Sequence, residues 1–93
     1  MIKTFANKQT AAVFAGRKVR KYSNHLQDKA EEKLKQLDLA QEIDDMRHPP
    51  GNRLERLSGN LNGKYSIRIN QQWRLCFEWL DDDAYEVEIR DYH

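Results

Sequence analysis

The run Asp91-Tyr92-His93 sets a carboxylate, a phenol and an imidazole on consecutive residues, and two arginines, Arg68 and Arg74, stand a short turn apart upstream. Together these groups suit cleavage of an RNA phosphodiester. That reaction needs one group to take the 2′-hydroxyl proton, a cation for the extra charge on phosphorus, and one group to protonate the leaving 5′-oxygen. Histidine suits the proton transfers because its unperturbed pKa is about 6.5. Arginine suits the phosphate because its planar fork donates in pairs and stays charged. A lone histidine in such a place is more often an exposed residue without a role, so the inference rests on the set.

Other chemistry-bearing residues fit no further site. His25, His48 and Cys76 have no ligand-like spacing with one another or with His93, and three separate histidines are expected rather than a zinc centre. Gly16, Gly51, Gly59 and Gly63 form no phosphate-binding loop. There is no serine elbow. Cys76 falls inside an alternating apolar run, which points to packing rather than nucleophilic attack.

The elements that must position the set follow from periodicity. Lys3 to Phe5 reads as a short strand. Ala11, Ala12, Phe14 and Ala15 suggest a short helix that Gly16 stops. A basic loop, Arg17 to Lys21, follows. The strongest helix starts at Ser23 or Asn24, with Gln27 three residues after Asn24 as in a capping box. Leu26, Ala30, Leu34 and Leu37 form its apolar stripe, and Lys29, Glu31, Glu32, Lys33 and Lys35 are expected on its solvent side. It should end near Leu39 or Ala40. An acidic connection from Glu42 to Met46 leads to the break at Pro49-Pro50-Gly51-Asn52.

Beyond that break the period becomes two. Tyr65, Ile67 and Ile69, then Trp73, Leu75, Phe77 and Trp79, then Tyr85, Val87 and Ile89 define the inward side of three strands. Asn62-Gly63, Asn70-Gln71-Gln72 and Asp81-Asp82-Asp83 are the turns, and residues 53–57 offer a weaker fourth strand. Helices followed by antiparallel strands make an α+β domain, with the N-terminal helices on one face of a twisted sheet. The other face carries Lys64, Ser66, Arg68, Arg74, Cys76, Glu78, Glu86, Glu88 and Arg90, and the alternation adds Tyr92. A solvated polar face is ordinary in such sheets. The convergence of Arg68, Arg74 and Tyr92 on it is what suggests a site.

Length and composition set the limits. Ninety-three residues, 39% hydrophobic and 33% charged, fit a single domain, 1–93, and exclude a low-complexity or generally disordered chain. No apolar stretch approaches the ~20 residues that span a bilayer. No secretory signal is visible, and a single cysteine excludes an internal disulfide; a soluble domain in a reducing compartment is expected. The net charge of +1 conceals four blocks: +6 over residues 1–21, −4 over 22–46, +5 over 47–74 and −6 over 75–93. Such segregation admits a basic surface for nucleic acid and an acidic one for a basic partner.

Four segments carry a resemblance that spans nearly the whole chain. They are Pro49-Pro50-Gly51-Asn52-Arg53-Leu54-Glu55-Arg56-Leu57-Ser58-Gly59, Gly63-Lys64-Tyr65-Ser66-Ile67-Arg68-Ile69-Asn70, Gln72-Trp73-Arg74-Leu75-Cys76-Phe77 and Val87-Glu88-Ile89-Arg90-Asp91-Tyr92-His93. In combination they resemble the HigB-type toxins of the RelE/ParE superfamily of bacterial type II toxin–antitoxin systems.

The resemblance implies a cytoplasmic endoribonuclease that cleaves mRNA in the ribosomal A site without metal or other cofactor. It implies a HigA-type helix-turn-helix antitoxin as partner, with operator DNA bound only through that complex, and no membrane. Asp91, Tyr92 and His93 match the family's C-terminal catalytic residues, and Arg74 matches the arginine of its Trp-Arg motif. Some members have a catalytic histidine where this chain has Glu55, so either Glu55 acts as a carboxylate base or His93 carries more of the proton transfer. Arg53, Arg56, Lys64 and Arg68 are the expected RNA-binding residues. Two alternatives stand beside this reading. One is a toxin of the same fold that binds a protein such as gyrase without cutting RNA. The other is a non-catalytic RNA-binding or regulatory module.

Overall fold

The computed structural model describes residues 1–57 and 63–92. Helix α1 spans Lys8–Phe14, and the Asn7 side chain caps it by accepting from the Thr10 amide at 2.8 Å. Helix α2 spans Asn24–Leu39. Two 3₁₀ turns, Ile43–Arg47 and Pro50–Asn52, lead into the sheet. Its strands are β1 (Glu55–Arg56), β2 (Lys64–Arg68), β3 (Trp73–Leu80) and β4 (Asp83–Asp91). They pair antiparallel in the order β1-β2-β3-β4. The α+β architecture expected from the sequence is the one observed.

The N-terminal residues lie along the outer side of β4, where Ile2 and Phe5 bridge in parallel to Ala84 and Val87. Thr10 adds a second tie, its buried hydroxyl accepting from the Ile89 amide at 3.1 Å. The first helix is thereby fixed to the strand that delivers Tyr92.

The stripe of α2 behaves as expected. Leu26, Ala30, Leu34 and Leu37 are buried against Ile67, Leu75, Phe77, Val87 and Ile89 of the sheet. Truncating a fully buried leucine such as Leu34 to alanine should cost about 2–5 kcal/mol.

Four expectations need correction. The helix cap is Ser23, whose hydroxyl accepts from the Leu26 amide; Gln27 takes no part in a capping box. Instead Gln27 is buried, accepting from the Val19 amide at 2.9 Å and donating to the Arg17 carbonyl at 2.6 Å. The basic loop Arg17–Lys21 is thus tied to α2.

Lys33 is buried rather than solvent-facing, because it falls on the same side as Ala30 and Leu37, three residues after one and four before the other. Its ammonium donates to the Asn52 side chain.

In β4 the alternation slips. The register runs Cys76↔Glu88 and then Glu78↔Tyr85, with a bulge at Glu86, whose φ is 51°. One extra residue moves every side chain before it to the other face. Ala84 therefore enters the core, and Tyr85 joins Glu78 on the polar side.

Finally, the polar face is not uniformly wet: Ser66, Arg74 and Cys76 are buried.

The Asp81-Asp82 turn has positive φ at both residues, 50° and 63°, the backbone that a tight two-residue hairpin requires. The expected Asn62-Gly63 turn lies partly outside the described residues; Gly63 itself has φ 80°.

Candidate active site

Arg74 is the centre of the polar face. It sits on β3 with Arg68 opposite it on β2 and Arg90 opposite it on β4. Three arginines in one cross-strand row repel one another unless acids or anions intervene. Arg90 is relieved by Glu88, 3.7 Å away on its own strand.

Arg74 itself is held from beneath. Its Nε donates to the Ser66 hydroxyl at 2.9 Å, and its Nη2 donates to the Arg53 carbonyl at 2.8 Å. Arg74 is only 8% exposed, so these acceptors fix the plane and position of its guanidinium. Arg53 supplies its carbonyl by adopting the left-handed region, φ 46°, directly after the Pro50–Asn52 turn. That conformation costs a non-glycine residue about 1–3 kcal/mol, which the packing of the turn must offset. The Asn52 side chain organises that turn by donating to the Met46 and His48 carbonyls, each at 3.1 Å.

Two further groups reach the same guanidinium. Glu55, from β1, brings Oε1 to 3.9 Å from Arg74 Nη2. Tyr92, beyond the end of β4, lays its ring 5.6 Å from Arg74 Cζ, within cation–π range. Since β1 and β4 are the two ends of the sheet order, carboxylate and phenol flank Arg74 from opposite sides. Both are accessible, the Glu55 side chain 56% and Tyr92 43% exposed.

Asp91 is not part of this convergence. It pairs with Trp73 in the register, one residue out of phase with Arg74, and its carboxylate accepts from Gln72 Nε2 at 3.1 Å. The neighbouring Tyr92 amide donates to the Gln72 carbonyl at 2.7 Å. Asp91 and Gln72 together clamp the strand end that carries Tyr92. His93 lies outside the described residues.

The expected RNA-binding residues divide. Arg53 and Arg68 line a common cleft with α2. Lys64 lies on the Arg74 face but beside Cys76 and Glu78, at a cavity of only about 40 Å³. Arg56 pairs with Tyr65, which sets it on the opposite side of the sheet from Arg74.

Burial pushes the Cys76 thiol above its ordinary range, which disfavours the thiolate and agrees with a packing role.

Sequence reasoning passed over Ser66 as an orienting group, and Asn52 and Gln72 as supports. For Lys33 a signal was present: Leu26, Ala30, Lys33 and Leu37 recur at four, three and four residues, one continuous line on a helix.

A family model described as RelE-like toxin of type II toxin-antitoxin system HigB matches residues 3–93. Toxin HigB-1 of Vibrio cholerae is 58% identical over 52 residues, covering 56% of this chain and 55% of that toxin. The chain thus spans about half the length of that relative. Endoribonuclease HigB of Proteus vulgaris is 29% identical over 93 residues, covering 100% of both chains. In fold, the chain is similar to the crystal structure of the heterotetrameric YoeB-YefM toxin-antitoxin complex from Staphylococcus aureus, with a TM-score of 0.63 and 22% identity over 100% of this chain and 98% of that one. With the match covering nearly all of its length, the chain belongs to the RelE-like HigB toxin family of type II toxin–antitoxin systems.

Proposed function

We propose that this toxin is an endoribonuclease that cuts mRNA on the translating ribosome. The observation that carries the reading is the pre-set guanidinium of Arg74 with Glu55 and Tyr92 on its two sides. Attack of a 2′-hydroxyl on its own 3′-phosphorus is in line, so the group that takes the proton and the group that protonates the leaving 5′-oxygen belong on opposite sides of the phosphate. A phosphate seated on Arg74 meets that requirement.

Glu55 is the base in this scheme. It takes the 2′-hydroxyl proton as the new O–P bond forms. The 5′-oxygen leaves and receives a proton from the opposite flank, where Tyr92 stands; His93, next in the sequence, is the second candidate for that proton. The products are a 2′,3′-cyclic phosphate and a free 5′-hydroxyl. Arg74 stabilises the added charge on phosphorus, and its buried bonds to Ser66 and Arg53 mean that it needs little reorganisation at the moment of reaction. Asp91 is a positioning residue, acting through Gln72 on the backbone of Tyr92. The name of the Proteus vulgaris relative, an endoribonuclease, supports the reaction class.

Dependence on the ribosome is supported by the shape of the site. Glu55 and Tyr92, the two groups that flank the guanidinium, are both exposed. Flanking groups so exposed do little to hold a sugar in place for attack, so part of the proximity comes from a substrate already ordered on the ribosome. The partner in this reading is a HigA-type helix-turn-helix antitoxin, operator DNA is met only through that complex, and the setting is the cytoplasm. Among the described residues, no helix is long and apolar enough to cross a membrane.

Primer extension on mRNA from cells briefly expressing the chain tests the proposal. New 5′ ends are expected within translated codons. Pure protein should cut mRNA on programmed ribosomes and leave naked mRNA nearly intact. Growth arrest without any mRNA cleavage would refute the enzyme reading and favour a protein target.

A further inference from the structure

A cleft of about 390 Å³ opens between α2, the Pro50–Asn52 turn and the end of β2. Four of its lining residues are cations: Lys29 and Lys33 from one face of α2, Arg53 from the turn, and Arg68 from β2. None of the four is within ion-pair distance of a carboxylate among the described residues; the pairs found there involve Lys35, Arg47, Arg74, Arg90 and the N-terminal amine. Four cations thus share one concavity whose lining holds no carboxylate. Glu32 acts on Lys33 only at a distance, and the positive charge of Lys29 opposes it. Low-dielectric walls behind like charges focus a field that draws in an anion.

The cleft is also structured for a ligand. Lys33 is 8% exposed, and its ammonium is anchored by one bond to Asn52, which is fully buried and ties down the Met46 and His48 carbonyls. An ammonium has three donors, so this bond leaves donors for a ligand. Arg68 is steadied by its Nε bond to the Asn70 carbonyl at 3.2 Å. The backbone of Gly51 is part of the lining, where no side chain blocks approach.

Arg53 joins this cleft to the reaction centre. Its carbonyl accepts from Arg74 while the same residue lines the cleft, and Arg68 stands directly opposite Arg74 in the sheet. We propose that the cleft holds a backbone phosphodiester of the RNA strand being cut, beside the one on Arg74, with Lys29, Lys33, Arg53 and Arg68 as its ligands. This rests on the endoribonuclease reading and adds a second phosphate to it. Two anchored phosphates would fix the direction of the strand across Glu55 and Tyr92, which a single contact at Arg74 cannot do. The contact reads no base, so it contributes register rather than sequence preference.

The first test does not use cleavage. Isotope-labelled toxin is titrated with a 2′-O-methyl tetranucleotide, which lacks the attacking hydroxyl, and amide shifts are followed by NMR to millimolar ligand. Saturable shifts are expected at Gly51, Arg53 and Ile69. Lys29→Gln and Arg68→Gln should each weaken binding several-fold at low salt, with the loss shrinking as salt screens the contact. Well-dispersed spectra of both variants would show that they fold. Absence of saturable shifts at the cleft, or unchanged binding by both variants, overturns the proposal.

A second arm separates the cut strand from ribosomal RNA as the source of the phosphate. Methylphosphonates placed singly beside the cut site of an mRNA on programmed ribosomes should slow wild-type cleavage at one position. At that position the Arg68→Gln enzyme should be insensitive, as in any cycle that removes both partners of one interaction. If Arg68→Gln slows cleavage but stays sensitive at every position, the phosphate belongs to ribosomal RNA and the assignment to the cut strand is wrong. If unmodified mRNA is not cut at all while the tetranucleotide still binds, the endoribonuclease reading fails and the anion cleft stands.

Discussion

Glu55 and Tyr92 approach one guanidinium from opposite ends of the sheet: Glu55 Oε1 lies 3.9 Å from Arg74 Nη2, and the Tyr92 ring lies 5.6 Å from Arg74 Cζ. Neither contact is strong. A pair with one partner 56% exposed is worth little in stability. The arrangement makes more sense as chemistry, since an anion arriving at Arg74 can displace Glu55 slightly and leave it poised beside the reacting oxygen.

Removing the guanidinium should therefore cost rate and stability together. Arg74→Ala should lower cleavage of ribosome-bound mRNA by about 10²–10³-fold, the usual effect of losing one donor to developing charge. It also leaves the Arg53 carbonyl and the Ser66 hydroxyl without their partner, at about 1–3 kcal/mol. Arg74→Lys keeps the charge but not the paired donors and should restore little activity. Single-turnover rates, read with the melting temperature of each variant, check this. A wild-type rate in Arg74→Ala would remove Arg74 from the mechanism.

The two flanks can be separated. Glu55→Gln keeps shape and hydrogen bonding but loses basicity; Tyr92→Phe keeps the ring over Arg74 but loses the hydroxyl. Each should slow cleavage by about 10²-fold or more if it moves a proton, with the circular dichroism spectrum unchanged. The pH–rate profile of Glu55→Gln should lose its acidic limb, whereas that of Tyr92→Phe should keep it. If the acidic limb survives in Glu55→Gln and vanishes in His93→Gln, the base is His93.

Much of this was legible in the sequence because period decides side. Alternation in Trp73–Leu80 puts Arg74 opposite the core, and the same rule carries Tyr92 to the Arg74 face. The rule failed at Tyr85 because a single bulge at Glu86 shifts the phase, and no residue type announces a bulge when it is not glycine. Gln27 was read as part of a capping box and Lys33 as solvent-facing, yet each is buried with a specific partner, the Val19 and Arg17 backbone for one and Asn52 for the other. The helical line through Ala30 and Leu37 marks Lys33 as inward, but the partners of both residues lie outside the helix, where its period cannot name them. Glu55 entered only through resemblance; its proximity to Arg74 depends on β1 pairing with β2 in one register.

Asp91 separates a positioning role from a chemical one. Asp91→Asn can still accept from Gln72 and should retain most activity, while Asp91→Ala releases the strand end and should lose far more. Exchange of the Tyr92 amide, bonded to the Gln72 carbonyl, should quicken in the alanine variant only. If Asn is as inactive as Ala and exchange is unchanged in both, the carboxylate charge itself is required.

The Gln27 anchor predicts order in the basic loop. Gln27→Ala removes two part-buried hydrogen bonds, each worth about 0.5–1.5 kcal/mol. The Val19 amide should exchange much faster in that variant. Cleavage on the ribosome then reports the loop: an unchanged rate with a frayed loop would mean that Arg17–Lys21 does not contact the ribosome during the reaction.

Stability should fall on the alkaline side through Cys76 and Tyr22. Burial raises both above their ordinary values, and for Tyr22 the charge of Glu88 adds to the effect. The folded chain therefore keeps protons that the unfolded chain releases. A group raised in the folded state contributes fully below its unfolded pKa and loses that contribution as pH climbs through its folded one. For the thiol the decline begins near pH ~8.5, and for the phenol near ~10. Lys33 acts in the opposite sense: burial lowers its pKa, so below ~10.4 the unfolded chain holds more protons and stability rises with pH. Absolute curves mix these contributions, but differences isolate them. Denaturant unfolding from pH 7 to 10.5 should show the advantage of the wild type over Cys76→Ala shrinking as pH passes about 8.5, and its advantage over Tyr22→Phe shrinking only at the upper end of that range. Curves that stay parallel over the whole range would mean that neither group is desolvated enough in the folded protein to bias the equilibrium.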